Sequence, residues 1–394
     1  MPEKIMNLLA KATGGKSYKA HKYSLDQRDI PYIDYGEDTI VWQRFAETKP
    51  TKNYVPLYDL SLDLNRQNIS LFSFFLDGSR RVYKVDDIAL KKSGGIRTVI
   101  YPIIAGQIGI GCCKRDNRRM HKELFTYECD LSVPDIADRD GRNGFFAATV
   151  EKLNMCEDLQ RLNRHFNQKI QFKKIIPYKT ENVEQSKYED KGTACIQDRM
   201  IELEKDAVAD LVRTGRLDQD HYLIKDGSLE YRPSKEEKRD SRKLMSFKNN
   251  YNWVLGVSKG FNPESCKDIR GKSNPGFIAD LPLYHRTPVA EIKNLKNEDM
   301  KLAVWYVRLR DKGRTRTPFD GVVKVEKILV TDKETNKGMD SETVNILSAC
   351  LINERMPVCY GSDLRWANHI YPVFLTEEYI KSRYVSTEAF LNLF

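Results

Sequence analysis

The tripeptide Asp-Gly-Ser occurs twice in this chain, as Asp77-Gly78-Ser79 and as Asp226-Gly227-Ser228. Each copy follows an apolar run, Leu71–Leu76 in the first case and His221–Lys225 in the second. Taken singly, each reads as a turn, because Asp caps its own backbone and Gly accepts positive φ. Taken together, they read as two buried strands that each deliver a carboxylate to the strand tip. Magnesium and manganese take hard oxygen ligands, and a close pair of such ions clamps the attacking and leaving oxygens of a phosphodiester. A glycine after the carboxylate lets a phosphate approach the backbone.

A third carboxylate is expected from a helix over residues 194–213, which runs free of Gly and Pro until Gly215 closes it. At roughly 100° per residue, Ile196, Met200, Leu203, Ala207 and Leu211 share one side, and Glu204 falls near its middle. A carboxylate facing a core is costly unless paired or metal-bound. Glu204 reads as a metal ligand, as one partner of a salt bridge to a buried Arg or Lys, or as part of a helix less buried than its pattern suggests, and Glu202 is the second choice for the helix carboxylate. A fourth ligand is sought near the C-terminal end among Glu378, Glu377 and His369. Three cations stand at or beside strand ends, where they would neutralise phosphates: Arg80, Lys259 and Arg308. Each alone reads equally as a solvated strand end.

The elements that must position these groups follow from hydrophobic patterning. Strand signals cover 71–77, 97–113 and 124–129, then 222–226, 252–259, 302–309 and 321–330. Helical signals cover 194–213, 232–248, 340–353 and the end of the chain, 375–394. Residues 1–68 are polar and interrupted by Pro31, Pro50 and Pro56, and read as an N-terminal arm. Residues 69–394 read as one domain, with an inserted, largely helical region around 133–192. The fold class expected is α/β: a mixed sheet flanked by helices.

Composition bounds the rest. Hydrophobic residues make up 40% of the 394, enough for a sizeable core, and 65 Lys and Arg stand against 56 Asp and Glu. The resulting charge of +9 fits a phosphate-rich partner without demanding one. Eight cysteines lie scattered without CxxC spacing, which argues against a zinc site and fits reduced thiols. There is no apolar run of about eighteen residues and no signal-peptide pattern, so a cytoplasmic protein with no membrane association is expected. No P-loop, GxSxG elbow or HExxH motif occurs, and Gly106, Gly109 and Gly111 lie in a strand-like run without a following helix.

In order along the chain, the elements resemble the NurA nuclease family. The resemblance rests on the strand ending in Asp77-Gly78-Ser79, the helix carrying Arg199 and Glu204, the strand ending in Asp226-Gly227-Ser228-Leu229, and Gly256-Val257-Ser258-Lys259. It continues through Trp305-Tyr306-Val307-Arg308-Leu309, Val323-Lys324-Val325-Glu326 and Tyr371-Pro372. It implies a ribonuclease-H-like core and a DNA nuclease dependent on Mn²⁺ or Mg²⁺, with Asp77, Glu204 and Asp226 as catalytic metal ligands and Glu378 as a further one. It also implies a homodimer working beside a HerA-like hexameric ATPase, in DNA end repair or antiviral defence. Two rival expectations are a non-catalytic subunit docking on such an ATPase and a ribonuclease-H-like enzyme for RNA or hybrid duplexes.

Overall fold

A computed structural model describes residues 41–51, 53–91, 98–138, 144–166, 170–181, 184, 187–231, 239–266, 272–293, 300–357 and 366–394. Along the chain the elements begin β1 (Val41–Phe45), β2 (Val55–Pro56), α1 (Tyr58–Arg66), β3 (Phe72–Lys91), β4 (Thr98–Asp116) and β5 (Arg119–Pro134). They continue α2 (Gly144–Asn154), α3 (Glu157–Phe166), β6 (Phe172–Tyr178), α4 (Tyr188–Arg213), β7 (Tyr222–Asp226), α5 (Ser241–Asn250) and β8 (Val254–Ser258). The remainder is α6 (Pro275–Ala279), β9 (His285–Arg286), β10 (Ala290–Lys293), β11 (Lys301–Arg308), β12 (Val322–Ile328), α7 (Asp332–Lys337), α8 (Ser341–Asn353), α9 (Tyr371–Lys381) and α10 (Thr387–Leu391). The fold is α/β, with mixed, mostly antiparallel sheet flanked by helices, as expected. No helix among the described residues is long and apolar enough to cross a membrane.

The chain forms two compact units, and each is assembled from separate stretches of sequence. The first comprises residues 1–73 and 217–373, the second 74–216 and 374–394. In the first unit the sheet order is β1-β10-β11-β12-β8-β7, with β9 beside β11 and β2 beside β9. Only β7 and β8 are parallel neighbours; the other pairs are antiparallel. Trp305 and Tyr306 are fully buried, and the Trp305 indole donates to Ser348 Oγ of α8 at 2.9 Å.

The described part of the expected N-terminal arm is woven into this unit. Residues 41–45 form the edge strand, Ala46 donates to the Val289 carbonyl, and Glu47 is buried in an ion pair with Arg286 at 2.8 Å. Gly338 (φ +80°) lies so close to Ala46 that a Cβ would collide with its backbone. Residues 1–40 of the arm fall outside the described residues.

In the second unit β3-β4-β5-β6 form the sheet, antiparallel except for β5 and β6. Helix α4 packs on one face and α9 and α10 on the other. Glycines make both approaches possible: a Cβ at Gly106 would strike Ile196 of α4, and one at Gly109 or Gly111 would strike Ile380 of α9. The expected insertion is the pair α2 and α3 followed by strand β6, and Val150, Leu159 and Phe172 from these elements join one core with Cys129, Leu131 and Phe390. Helix α4 begins earlier than its pattern suggested, because Tyr188 packs on Tyr101.

Candidate functional site

The two Asp-Gly-Ser copies sit in different local structures. The second behaves as expected. Strand β7 ends at Asp226, and Gly227 turns the chain at φ +85°, in the left-handed region glycine tolerates. Glu326 of β12 holds this turn from beneath, accepting from the Ser228 hydroxyl at 2.8 Å and from the Leu229 amide at 2.6 Å. Burial alone would raise the Glu326 pKa, but the Lys324 ammonium 2.5 Å away and these hydrogen bonds hold it below the usual carboxylate value. Ser228 therefore shapes its turn. The Asp226 carboxylate projects beyond it and pairs with Lys259 at 2.8 Å.

Both members of that pair occupy the carboxyl ends of the two parallel strands, one residue past Ser258 in β8 and at the last residue of β7. The crevice outside the carboxyl ends of parallel strands is where open α/β sheets bind ligands. Asp226 and Lys259 keep 18% and 10% of their side chains accessible, so the pair is partly desolvated yet reachable. A carboxylate suited to a cation thus lies beside an ammonium suited to a phosphate.

The first copy is not at a strand tip. Asp77-Gly78-Ser79 runs through β3, which continues to Lys91. Asp77 is 5% exposed and stands opposite Gly111, placing it on the face that α9 covers through Thr376 and Ile380. Gly78 faces the other way. Its missing Cβ makes room for the Glu204 carboxylate of α4, whose Oε1 would clash with that Cβ. Glu204 is 3% exposed, on the buried side of its helix as its spacing predicted. Asp77 and Glu204 thus lie on opposite faces of the sheet, at neighbouring positions of β3.

The remaining expected site residues are spread more widely. Glu378 lies on the exposed side of α9, with 55% of its side chain accessible and Lys381 Nζ 3.8 Å away. Glu377 pairs with the same lysine at 2.8 Å, Glu202 is engaged by Arg199 at 3.1 Å, and His369 is buried. Arg80 is exposed and donates through Nε to Gln197 of α4.

Arg308 requires a correction: it is fully buried, with no exposed surface. Its guanidinium donates to the carbonyls of Leu281 (2.5 Å), Pro318 (2.7 Å), Ile278 (3.2 Å), Ala279 (3.3 Å) and Asp320 (3.4 Å). It binds loops together, and burial lowers its pKa to about 10. A strand-end arginine looks solvated in sequence. The loops that fold over this one are distant in the chain.

By chemistry, Asp77, Glu204 and Asp226 offer the hard oxygen donors that Mg²⁺ or Mn²⁺ takes. Among the described residues no group of three or more His, Cys, Asp or Glu side chains stands together as a metal cage. Glu326 and Lys324, which anchor the Asp226 turn, stand out in sequence only through the family resemblance. Their signal is an i, i+2 pair of charges in the run Val322–Ile328, hence on one face of a buried strand, with Lys327 on the other face.

No family model matches the chain, and no curated protein matches it. Among solved structures it is similar to the crystal structure of the NurA nuclease from Sulfolobus solfataricus. The two share 11% identity over 86% of this chain and 90% of that chain, with a TM-score of 0.40.

Proposed function

We propose that this protein is a nuclease that hydrolyses phosphodiester bonds in DNA with the help of Mn²⁺ or Mg²⁺. The observation that carries the reading is the Asp226–Lys259 pair at the carboxyl ends of β7 and β8, held on a turn that Glu326 fixes from below. The Lys259 ammonium neutralises a phosphate oxygen, and the Asp226 carboxylate supplies oxygen ligands. The other donors proposed, each on its own surroundings, are the buried Asp77 and Glu204 that flank the β3 backbone at residues 77 and 78. A bound divalent ion would polarise the phosphate and lower the pKa of an attacking water. Association with a HerA-like hexameric ATPase and with a second copy of the chain is part of the proposal, supported by the ordered sequence elements described above.

The test is cleavage of end-labelled single- and double-stranded DNA with Mn²⁺ by the wild type, Asp226→Asn, Lys259→Ala and Asp77→Asn, alongside calorimetric titration of Mn²⁺. Loss of cleavage by at least about 100-fold in Asp226→Asn, with an unchanged melting temperature, is expected for a residue acting on the transition state. Full activity in Asp226→Asn and Asp77→Asn would remove the mechanism.

A further inference from the structure

The first unit holds a cavity of about 580 Å³ lined by Tyr284, Leu309, Arg310, Asp311, Arg314 and Trp366 among others, with the Asp311 carboxylate accepting from the Gly313 amide at 2.6 Å. That volume is ordinary for a small-ligand site. Its chemistry is specific. The Arg310 guanidinium lies over the Trp366 ring at 5.5 Å, and Arg314 is exposed, with no ion pair among the described residues. Guanidinium groups take phosphates in a planar, forked geometry, and tryptophan offers a face to a planar base. Tyr284 adds a strained backbone: it sits at φ +55°, held by its amide on the Arg308 carbonyl at 3.0 Å, by stacking on Tyr58 at 5.7 Å and by Arg355 over its ring. Bulky residues in that conformation concentrate at ligand sites.

The cavity has a fixed relation to the Asp226–Lys259 pair. Strands β11, β8 and β7 run in the same direction, so Leu309 and Arg310 follow β11 at the sheet end where Lys259 follows β8. The 3₁₀ turn Trp366–Asn368 joins the two places. The Asn368 side chain donates to the Lys259 carbonyl at 2.7 Å and to the Val322 carbonyl at 2.9 Å, and accepts from Gly321 at 2.5 Å. Between β11 and β8, which Lys259 follows, lie two inter-strand spacings, about 10 Å. That is at most about three nucleotides at the rise of one duplex strand, and fewer for a stretched one.

We infer that this cavity is a nucleotide subsite that holds one base and its phosphate of a single nucleic-acid strand, a few nucleotides from the phosphate engaged by Lys259. The inference rests on the nuclease reading for the continuation of the strand, and on the cavity alone for nucleotide binding. Arg314 takes the phosphate and Trp366 the base, on a ring that Arg310 backs.

The experiment is fluorescence anisotropy of a labelled short single-stranded oligodeoxynucleotide with the full chain in EDTA, where no hydrolysis occurs. It compares the wild type, Arg314→Glu and Trp366→Ala. The same strand made abasic serves as a second probe, with inorganic phosphate and a deoxynucleoside monophosphate as competitors. Arg314→Glu is expected to weaken both strands, and Trp366→Ala to weaken the normal strand by about tenfold while sparing the abasic one. The monophosphate should compete better than inorganic phosphate. Binding by both variants within about twofold of wild type, the range of neutral surface changes, would overturn the subsite. So would a wild type that binds no strand. A wild type that binds as expected yet never cleaves with Mn²⁺ would leave the subsite standing and remove the nuclease reading.

Discussion

Gly78 is the residue whose replacement reports most directly on the first carboxylate motif. An added Cβ would run into the Glu204 carboxylate and lie 3.1 Å from Ile110 Cδ1. Gly78→Ala is expected to cost about 1–3 kcal/mol, as overpacking does. Gly78→Ala/Glu204→Ala should recover much of that loss, giving a coupling measurable in a urea double-mutant cycle. Arg308→Met tests the opposite kind of residue. It leaves the carbonyls of Leu281 and Pro318 without their buried donor, so a loss of at least about 3 kcal/mol is expected in the same assay. A phosphate-binding arginine at the surface would lose almost nothing. Glu204 was legible in sequence because helical periodicity is local. Arg308 was not, because its burial depends on the end of α6 with residues 280–281, and on loop 318–320, closing over it.

Strands and helices explain why one motif copy was readable as a tip and the other was not. Asp226 ends β7 because Gly227 turns at positive φ, a local property. Asp77 looked like a similar ending. However, β4 supplies a partner for every residue from Phe74 to Lys84, so the ladder carries β3 through its glycine. Pairing is long-range and leaves no mark within the tripeptide. The same sheet sets up a titration beneath α4. Asp130 is fully buried on β5, and its carboxyl is pushed up to about 7, first by burial and then by the neighbouring Glu128 carboxylate. Arg199 of α4 lies 2.7 Å from Glu128 and 3.8 Å from Asp130. A folded-state pKa raised from an ordinary 3.8 means that the folded chain holds the proton more tightly. The stabilisation is complete below about pH 4 and is lost as pH rises through about 7. Asp130→Asn should therefore flatten the fall in stability across that window, with the wild-type slope from this group no more than about 1.4 kcal/mol per pH unit. Chemical denaturation at stepped pH measures it, and parallel wild-type and mutant curves would contradict the assignment.

At the scale of the whole molecule, the second unit is completed by the last residues of the chain. Buried Gln107 of β4 accepts from the Val385 amide at 3.0 Å and donates to the Val385 carbonyl at 3.3 Å, as a neighbouring strand would. Phe390 lies in the core beyond it. Removing residues 374–394 uncovers Gln107, Gly109 and Gly111 together, and such a chain should bind a hydrophobic dye and resist trypsin less than the 394-residue chain. The discontinuity also imposes a timetable on synthesis. Between the emergence of Arg216 and that of Phe374 a ribosome must add residues 217–373. At bacterial-to-eukaryotic elongation rates this takes roughly 8–30 s. For that interval one face of the β3–β6 sheet waits without its own cover, which makes the nascent chain a natural client for a chaperone that shields apolar strands.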